Sequence, residues 1–257
     1  FARAGGWGNR ARAFDIAPER CSVMLASGVA SATSADAAHA GVPIVLSLVT
    51  ADEALSAAQH SAPHLASGTL WCDMNSVAPA TKQAAARIVE AAGSSYVDVA
   101  VLAPVDPAGL SVPLLLAGPA AEAAHAKLAE LGFTNIRIVG SEVGRASAIK
   151  MIRSVMVKGL EALTDEMMCA ADGAGVTNEV LASLDASEKP VGWRERASYN
   201  LERMNLHGIR RAAEMEEAAK TLLAIGVEPV MTRGTILRQR ERGRAHGISS
   251  MEKAVQS

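Results

Sequence analysis

The chain has 257 residues, which is enough for one large domain or two modest ones with buried cores. Its formal net charge is −2, so no strong field draws it to nucleic acid or to an anionic membrane. No apolar run approaches the roughly 20 residues needed to cross a bilayer, and the first residues carry no secretory pattern. We therefore expect a cytoplasmic globular protein with neither nucleic-acid nor membrane partners.

Short apolar runs alternate with alanine-rich helical stretches in the first half of the chain. The runs are residues 11–16, 42–49, 69–74, 96–102, 112–118 and 136–140. Strands that are apolar throughout and separated by helices are typical of a mostly parallel sheet with helices on both faces. This half therefore predicts an α/β, Rossmann-type doubly wound sheet.

The second half is helical in character. One long helical pattern runs from Gly144 to about Gly175, and more follow a loop at 187–192. No strand-like alternation remains, so residues 1–141 are predicted as a dinucleotide-binding domain and 142–257 as an all-α domain. The helical domain carries more apolar surface than a domain of its size can hide, which predicts a homodimer formed through it.

Two segments fit this organisation poorly. The opening FARAGGWG is typical of the end of a helix, and residues 18–27 are short on structure for a passage from strand to helix. We expect residues of the natural protein to be missing before Phe1, including the first strand and the glycine-rich loop. We also expect gaps near Arg20 and Ser187.

The three cysteines predict neither a disulfide framework nor a metal site. Cys21, Cys72 and Cys169 are an odd number, widely spaced and set in apolar surroundings. We expect reduced, buried thiols. No pattern of metal ligands is found elsewhere in the sequence, and His207 has no convincing partner histidine.

Residues at the ends of three predicted strands are candidates for binding a dinucleotide, because ligands of doubly wound sheets lie outside the carboxyl ends of the strands. Asp15 ends the first run, where a carboxylate can accept the adenosine ribose hydroxyls and repel a 2′-phosphate. The cofactor is therefore predicted to be NAD or NADP, with NAD favoured. The residues that follow the next two strands are Leu48, Val49, Thr50, Asn75 and Ser76.

Purely structural roles stay open for several of these residues. Asp15 is equally compatible with a structural acid at a strand end, and Thr50 with an N-cap of the helix after it. Asn75 or Ser76 would similarly suit the N-cap of the next helix. The glycines of GGWG (5–8) follow no strand and open no helix, so they predict a turn rather than the phosphate-binding fingerprint.

The order of these segments resembles the β-hydroxyacid dehydrogenase family, which includes 3-hydroxyisobutyrate and 6-phosphogluconate dehydrogenases. The resemblance runs from about Ala11 to Gly175, through a strand ending in Asp15, LSLVTADEAL, CDMNSVAP, DVAVLAP, VPLLLAG and GRASAIKMIRSVMVKGLEAL. It implies an NAD(P)-dependent dehydrogenase that acts on a 3-hydroxy acid or a related small hydroxy acid. The helical remainder, with HGIRRAAEMEE, looks like a less characterised branch.

The resemblance places Lys150 where the family has its catalytic lysine. Hydride transfer from an alcohol requires removal of the hydroxyl proton, and a lysine that is partly desolvated can exchange such a proton near neutral pH. Ser154 lies one turn further on the same face, where the family has a substrate-binding asparagine, and Lys158 continues that face. The alternative is a solvated helix lysine, which the apolar neighbours of Lys150 disfavour.

The resemblance also places a substrate loop at Leu102, Ala103 and Pro104. The family has a serine and two glycines here, which hold the substrate carboxylate. Leu102 has no hydroxyl and Pro104 has no amide hydrogen. We therefore expect a more apolar pocket and a larger or partly apolar substrate.

His207, Arg210 and Arg211 are predicted to contact the substrate from the helical domain. Related enzymes bring a basic residue from this region to the active site, and arginine grips carboxylates with two hydrogen bonds. An exposed helix stabilised by pairs such as Arg210 with Glu214 is the alternative.

Two other functions stay open at this point. One is an imine or ketone reductase of the same fold, although such reductases usually carry a different residue at the place of Lys150. The other is a dinucleotide-binding sensor without catalysis, which the altered substrate loop favours.

Overall fold

The computed structural model describes residues 1–187 and 190–255, and it comprises two compact units. The first unit is Phe1–Val155 and the second is Met156–Ser257. The division falls inside one long helix, Arg145–Gly173, so the first turns of that helix belong to the first unit. The boundary predicted near residue 141 lies just before this helix.

The strands of the first unit form two sheets. They are β1 (Arg12–Ala13), β2 (Ala30–Ser31), β3 (Ile44–Ser47), β4 (Leu70–Asp73), β5 (Ser95–Val101), β6 (Leu114–Ala117) and β7 (Ile136–Gly140). β1 pairs with β2 in parallel, and the other strands form a five-stranded sheet in the order β3-β4-β5-β6-β7. Within that sheet β5 and β6 are antiparallel and the other neighbours are parallel.

Helices follow the strands in the first unit and make up the second. They are α1 (Pro18–Ala26), α2 (Ala35–His39), α3 (Ala54–Ser61), α4 (Pro79–Ala91), α5 (Ala121–Glu130), α6 (Arg145–Gly173), α7 (Thr177–Ser187), α8 (Trp193–Ala224) and α9 (Val230–Val255). The Rossmann-type domain followed by a helical region is thereby confirmed. Each of the six predicted apolar runs overlaps a strand, whereas β2 has no apolar run around it and was not predicted.

Residues 18–27 require a correction. They contain the helix α1, which has Pro18 and Glu19 in its first turn, so they are not short on structure. That residues are missing near Arg20 stays a prediction. Proline suits a first turn because the amide hydrogen it lacks would have no partner there. The expected gap near Ser187 borders residues 188–189, which lie outside the described part of the chain.

The central strands of the larger sheet are covered on both faces. β4 and β6 are buried along their full length, as expected of strands in the middle of a doubly wound sheet. Cys72 and Val97 pack into a core cluster on one face, and Trp71 and Tyr96 into a cluster on the other. Among the described helices, none combines the length and apolar character needed to cross a membrane.

The cysteines are free thiols, but they are not all buried. Cys72 is buried in β4, and burial raises the pKa of its thiol to about 12. Cys21 is only half-buried, and Cys169 is exposed because it lies on the solvent side of α6. The expectation of buried thiols is therefore wrong for Cys169 and only partly met for Cys21.

A buried carboxylate joins two helices of the second unit. Glu166 on α6 accepts hydrogen bonds from Met231 N at 2.6 Å, from Thr232 N at 2.8 Å and from Thr232 Oγ1 at 2.6 Å. These amides belong to the first turn of α9, where backbone N–H groups have no partner within the helix. Glu166 therefore caps α9 from a helix distant in sequence.

We expect the Glu166 cap to weaken in acid. Burial raises the pKa of Glu166, but the hydrogen bonds from Thr232 and Met231 outweigh it, so its pKa lies below the ordinary value. A carboxyl whose pKa is lower in the folded chain stabilises the fold above its unfolded pKa, and that contribution is lost as pH falls through the folded pKa. Glu166→Gln is expected to cost about 1 kcal/mol at neutral pH, the typical value of a helix cap.

Thermal unfolding followed by circular dichroism across pH checks this expectation. The difference between wild type and Glu166→Gln should shrink as the carboxyl becomes protonated. Glu202→Gln, on an exposed position of α8, is the control and should leave the stability unchanged. A Glu166→Gln difference that is the same at all pH values would contradict the role of the ionised carboxylate.

Candidate functional site

The carboxyl ends of β3 and β4 lie side by side. Ser47 ends β3 and is paired with Asp73, the last residue of β4. Asn75 is buried just beyond β4, where its Nδ2 donates to Ser47 Oγ at 3.0 Å and its backbone N donates to Asp73 Oδ1 at 2.9 Å. Its Oδ1 has no hydrogen-bond partner in the part of the chain that the structure describes.

The first turns of α6 bring Lys150 to this edge of the sheet. Lys150 Nζ donates a hydrogen bond to Ser76 Oγ at 2.5 Å. Lys150 is half-buried, whereas Ser76 is exposed. The candidate proton donor and a candidate cofactor-binding residue, which are 74 positions apart in sequence, are therefore in direct contact within the first unit.

The strand-end residues do not act as helix caps. α3 begins at Ala54 with Glu53 as its N-cap residue, so Thr50 does not cap it. α4 has Ala78 as its N-cap residue, so neither Asn75 nor Ser76 caps that helix. The cap alternative is therefore wrong for these three side chains. Each has another hydrogen bond instead: Asn75 with Ser47, Ser76 with Lys150, and Thr50 with the carboxylate of Asp52.

Asp15 does have a structural role. It follows β1, and its Oδ1 accepts a hydrogen bond from Ala17 N at 2.9 Å, at the start of α1. Its side chain is half-buried. Leu48 and Val49, which follow β3, are both exposed.

The predicted substrate loop follows β5. Leu102 is half-buried, packs against a core cluster that includes Leu115, and donates its backbone N–H to Pro113 O at 3.0 Å. Ala103 and Pro104 are exposed. The loop therefore offers apolar surface and few free N–H donors. The amide of Leu102 is already bonded to Pro113 O, and Pro104 has no amide hydrogen.

The remaining predicted substrate residues lie on helices. Ser154 is half-buried on α6, one turn beyond Lys150, and belongs to the first unit. In the second unit His207 and Arg210 are exposed on α8, and Arg211 is half-buried. The side chains of Lys158 and Glu214, named above with these residues, lie outside the described part of the structure.

A buried charged cluster next to the strand ends was not predicted. Lys82 on α4 is fully buried, and its Nζ donates to Asp73 Oδ1 at 2.9 Å and to Asp73 O at 2.6 Å. The same Nζ lies 3.6 Å from Asp98 Oδ1, and Tyr96 OH donates to Asp73 Oδ2 at 2.6 Å. Burial and the neighbouring Asp73 raise the pKa of Tyr96.

One signal of this cluster was present in the sequence. Asp73 and Asp98 each stand inside an otherwise apolar strand, where a carboxylate needs a buried partner. Lys82 gave no such signal, because a lysine in an alanine-rich helix is ordinarily solvated. No group of three or more His, Cys, Asp or Glu residues that could hold a metal ion is found within the described residues.

Comparison with known proteins gives two family matches. Residues 3–129 match the NAD binding domain of 6-phosphogluconate dehydrogenase, and residues 171–241 match a domain of unknown function, DUF1932. A conserved hypothetical protein of Sinorhizobium meliloti 1021 is 36% identical with a TM-score of 0.58, and the match covers 95% of this chain and 85% of that one.

Two further solved structures are similar. A conserved protein of unknown function, itself described as structurally similar to 3-hydroxyacid dehydrogenases, is 30% identical with a TM-score of 0.59, over 96% of this chain and 93% of that one. An imine reductase of Streptomyces aurantiacus has a TM-score of 0.76 at 19% identity, over 100% of this chain and 95% of that one. The imine reductase shows likeness of fold alone.

Proposed function

We propose that this chain oxidises or reduces a small hydroxy acid, because it belongs to the 6-phosphogluconate dehydrogenase-like NAD-binding family with a DUF1932 C-terminal domain. Its fold is the NAD(P)-binding, dehydrogenase-like fold of 3-hydroxyacid dehydrogenases and imine reductases. The observation that carries the proposal is the 2.5 Å contact between Lys150 Nζ and Ser76 Oγ. It brings a proton-exchanging group to the strand ends, where this fold binds its cofactor.

The residues at these strand ends fit a nicotinamide cofactor. Asn75 Oδ1 is a buried acceptor without a partner among the described residues, and the hydroxyls of Thr50 and Ser76 belong to exposed residues at the same edge. These three residues, with Leu48 and Val49 beside them, would hold the nicotinamide half. Asp15 would accept the ribose hydroxyls. When bound, the cofactor supplies or accepts the hydride.

Lys150 would serve as the acid and base of the reaction. In the oxidation direction its neutral amine accepts the hydroxyl proton, while the carbinol carbon loses a hydride and the carbonyl forms. In the reverse direction its ammonium returns that proton to the oxygen. Ser76 Oγ accepts a hydrogen bond from Nζ and so orients the amine, and the ammonium stabilises negative charge on the substrate oxygen.

Two places in the first unit would hold the substrate. Ser154, one turn from Lys150, would hydrogen-bond the substrate hydroxyl or carboxylate. The apolar loop at Leu102, Ala103 and Pro104 favours a larger or partly apolar group beside it. We propose His207, Arg210 and Arg211 as ligands of the carboxylate, because guanidinium groups bind carboxylates with two parallel hydrogen bonds.

Turnover of a graded set of acids tests this function. The full-length protein is incubated with NAD or NADP and with 3-hydroxy acids from short to aryl-substituted, and with sugar acids, and formation of reduced nicotinamide is followed. We expect a higher kcat/KM for the aryl-substituted acids, because the loop offers apolar surface and few donors. A clear preference for the shortest acid would count against the apolar pocket. Reduction of cyclic imines with no turnover of any acid would favour an imine reductase.

The same experiment addresses the cofactor. A carboxylate near the ribose repels a 2′-phosphate, so Asp15 favours NAD over NADP. Dissociation constants of NADH and NADPH, measured by nicotinamide fluorescence, should be lower for NADH. Tighter binding of NADPH would remove Asp15 from the proposed site.

We also propose that the helical domain forms a homodimer. Met156, Leu160 and Leu163 lie at helical spacing on α6 and are between 44% and 48% exposed. Leu206 and Ile209 on α8 are also exposed. Apolar side chains at such spacing on a surface are typical of helix–helix interfaces. Sedimentation equilibrium at micromolar concentration would show a dimer, and a monomer there would contradict the proposal.

A further inference from the structure

Asp98 caps a helix that lies far from it in sequence. It is fully buried within β5, and its Oδ2 accepts hydrogen bonds from Gly144 N at 3.1 Å and from Ser147 N at 3.0 Å. Ser147 Oγ in turn donates to Gly144 O at 3.0 Å. These amides stand at the start of α6, where no partner within the helix is available. The sheet thereby determines where α6 begins.

The start of α6 is also close to α4. A Cβ added to Gly144 would lie 3.1 Å from Pro79 Cβ, and Gly144 has a φ of +103°, a conformation that favours glycine. Gln83 Nε2 donates to the carbonyl oxygen of the preceding residue, Val143, at 3.1 Å. The entry into α6 is therefore held by both a strand and a neighbouring helix.

Lys82 links Asp98 to the loop that follows β4. Its ammonium lies between Asp73 Oδ1 at 2.9 Å and Asp98 Oδ1 at 3.6 Å. Asp98 Oδ1 has no hydrogen-bond partner within the described residues, so the charge of Lys82 is what compensates it. Two buried carboxylates this close to each other require such a cation, because unpaired charge is costly away from water.

The two carboxylates hold the two partners of the Lys150 contact. Asp73 Oδ1 accepts from Asn75 N, one residue before Ser76. Asp98 accepts from Ser147 N, three residues before Lys150. The relative position of Ser76 and Lys150 is therefore set by a single buried group of three charges, Asp73, Lys82 and Asp98, which we call the buried triad.

We propose that Lys82 and Asp98 are positioning residues, which hold the amine of Lys150 at Ser76 in the geometry needed for proton transfer. This inference rests on the proposed function. Neither residue touches the substrate, since both are fully buried. Loss of this positioning is expected to lower the reaction rate strongly, because a displacement of about 1 Å at a reacting group lowers the rate by roughly 100-fold.

Asp98→Asn tests the proposal with little change of volume. An asparagine here has to point its amide nitrogen either at Lys82 Nζ or at the amides of Gly144 and Ser147, and each choice sets donor against donor. We expect kcat to fall by about 10- to 100-fold, with KM and the cofactor dissociation constant near their wild-type values. Glu142→Gln is the matched control, because it removes an exposed negative charge near the same helix end and should not alter kcat.

A second measurement does not depend on turnover. The rate at which acetic anhydride labels Lys150 in the substrate-free protein is determined by mass spectrometry, relative to Lys127, a half-buried lysine on α5 that pairs with Glu130. We expect this relative rate to change in Asp98→Asn and to stay unchanged in Glu142→Gln. Unchanged labelling in Asp98→Asn overturns the positioning role, and so does unchanged kcat. Altered labelling in a protein that turns over no hydroxy acid supports the positioning role and refutes the proposed function alone.

If Asp98→Asn does not fold, Ser147→Pro takes its place. Proline removes one of the two N–H donors to Asp98 at a first-turn position where proline is tolerated. Ser147→Ala is its control, because alanine retains that N–H. We expect altered Lys150 labelling in the proline variant only. Equal labelling in the two variants overturns the positioning role.

Discussion

Replacing Lys150 with methionine is expected to lower kcat by about 100- to 10,000-fold, the usual contribution of a general acid or base. Methionine keeps an unbranched, flexible chain at this half-buried position, so the packing around α6 should persist. Cofactor affinity should change little, because the residues proposed to hold the cofactor lie just beyond the ends of β1, β3 and β4. The measurement is steady-state turnover of the best hydroxy acid, together with nicotinamide fluorescence for the dissociation constant.

Two control variants separate proton transfer by Lys150 from the loss of its charge and from the loss of an unrelated lysine. Lys127→Met changes a lysine that is half-buried on α5, as Lys150 is on α6, and should leave kcat unaltered. Lys150→Arg keeps the positive charge but cannot exchange a proton, because arginine stays protonated in proteins. We expect the arginine variant to be nearly as slow as the methionine variant. Full activity with arginine would mean that the residue contributes charge and no proton transfer.

Gly208→Ala is expected to destabilise the helical unit, although alanine is intrinsically the better helix former by about 1 kcal/mol. α8 and α9 approach each other at Gly208 and Gly243. A Cβ at Gly208 would lie 2.2 Å from Gln239 O and 3.0 Å from Gly243 N, and both atoms belong to the backbone of α9. Backbone cannot move aside as a flexible side chain can, so overpacking should cost about 1–3 kcal/mol or more.

Unfolding in urea, followed by the helical signal in circular dichroism, measures this cost. Gly234→Ala in α9 is the matched control, because an added Cβ there meets no atom within 4 Å. That variant should be as stable as the wild type or more stable. Equal stability of the two alanine variants would show that α8 and α9 can separate at this crossing without loss.

The strand ends show which part of the candidate site the local sequence pattern predicts. LSLVT and CDMNS each close an apolar strand, and the parallel arrangement expected for these two strands brings Thr50 and Asn75 to one edge of the sheet. The family resemblance added Lys150, and its contact with Ser76 joins the two expectations in one place. The roles of Thr50, Asn75 and Ser76 as helix caps were equally compatible with the sequence. The observed helix starts, at Ala54 and Pro79, excluded them.

The local sequence pattern did not predict the buried triad. Lys82 lies among alanines on an ordinary amphipathic helix, and its burial follows from the placement of α4 over β4 and β5. Asp98 accepts a hydrogen bond from Gly144 N, 46 residues later at the start of α6, so no capping motif near that helix predicts it. The approach of α8 to α9 likewise depends on two glycines that are far apart in sequence, Gly208 on α8 and Gly243 on α9.

The sequence alone determined most of the segments that become strands and helices, because continuous apolar runs, helical periodicity and the position of prolines are local properties. It did not show β2 or α1. It also determined the family, through the order of those segments and the lysine in GRASAIK. Only the tertiary structure decided which charges are buried together and which residue caps α6, since both depend on strands and helices that meet in space. For the same reason it decided that the exposed thiol is Cys169 while Cys72 lies in the core. Burial is a property of the packed chain, so two cysteines acquire opposite environments when one lies on a covered strand and the other on the solvent face of a helix.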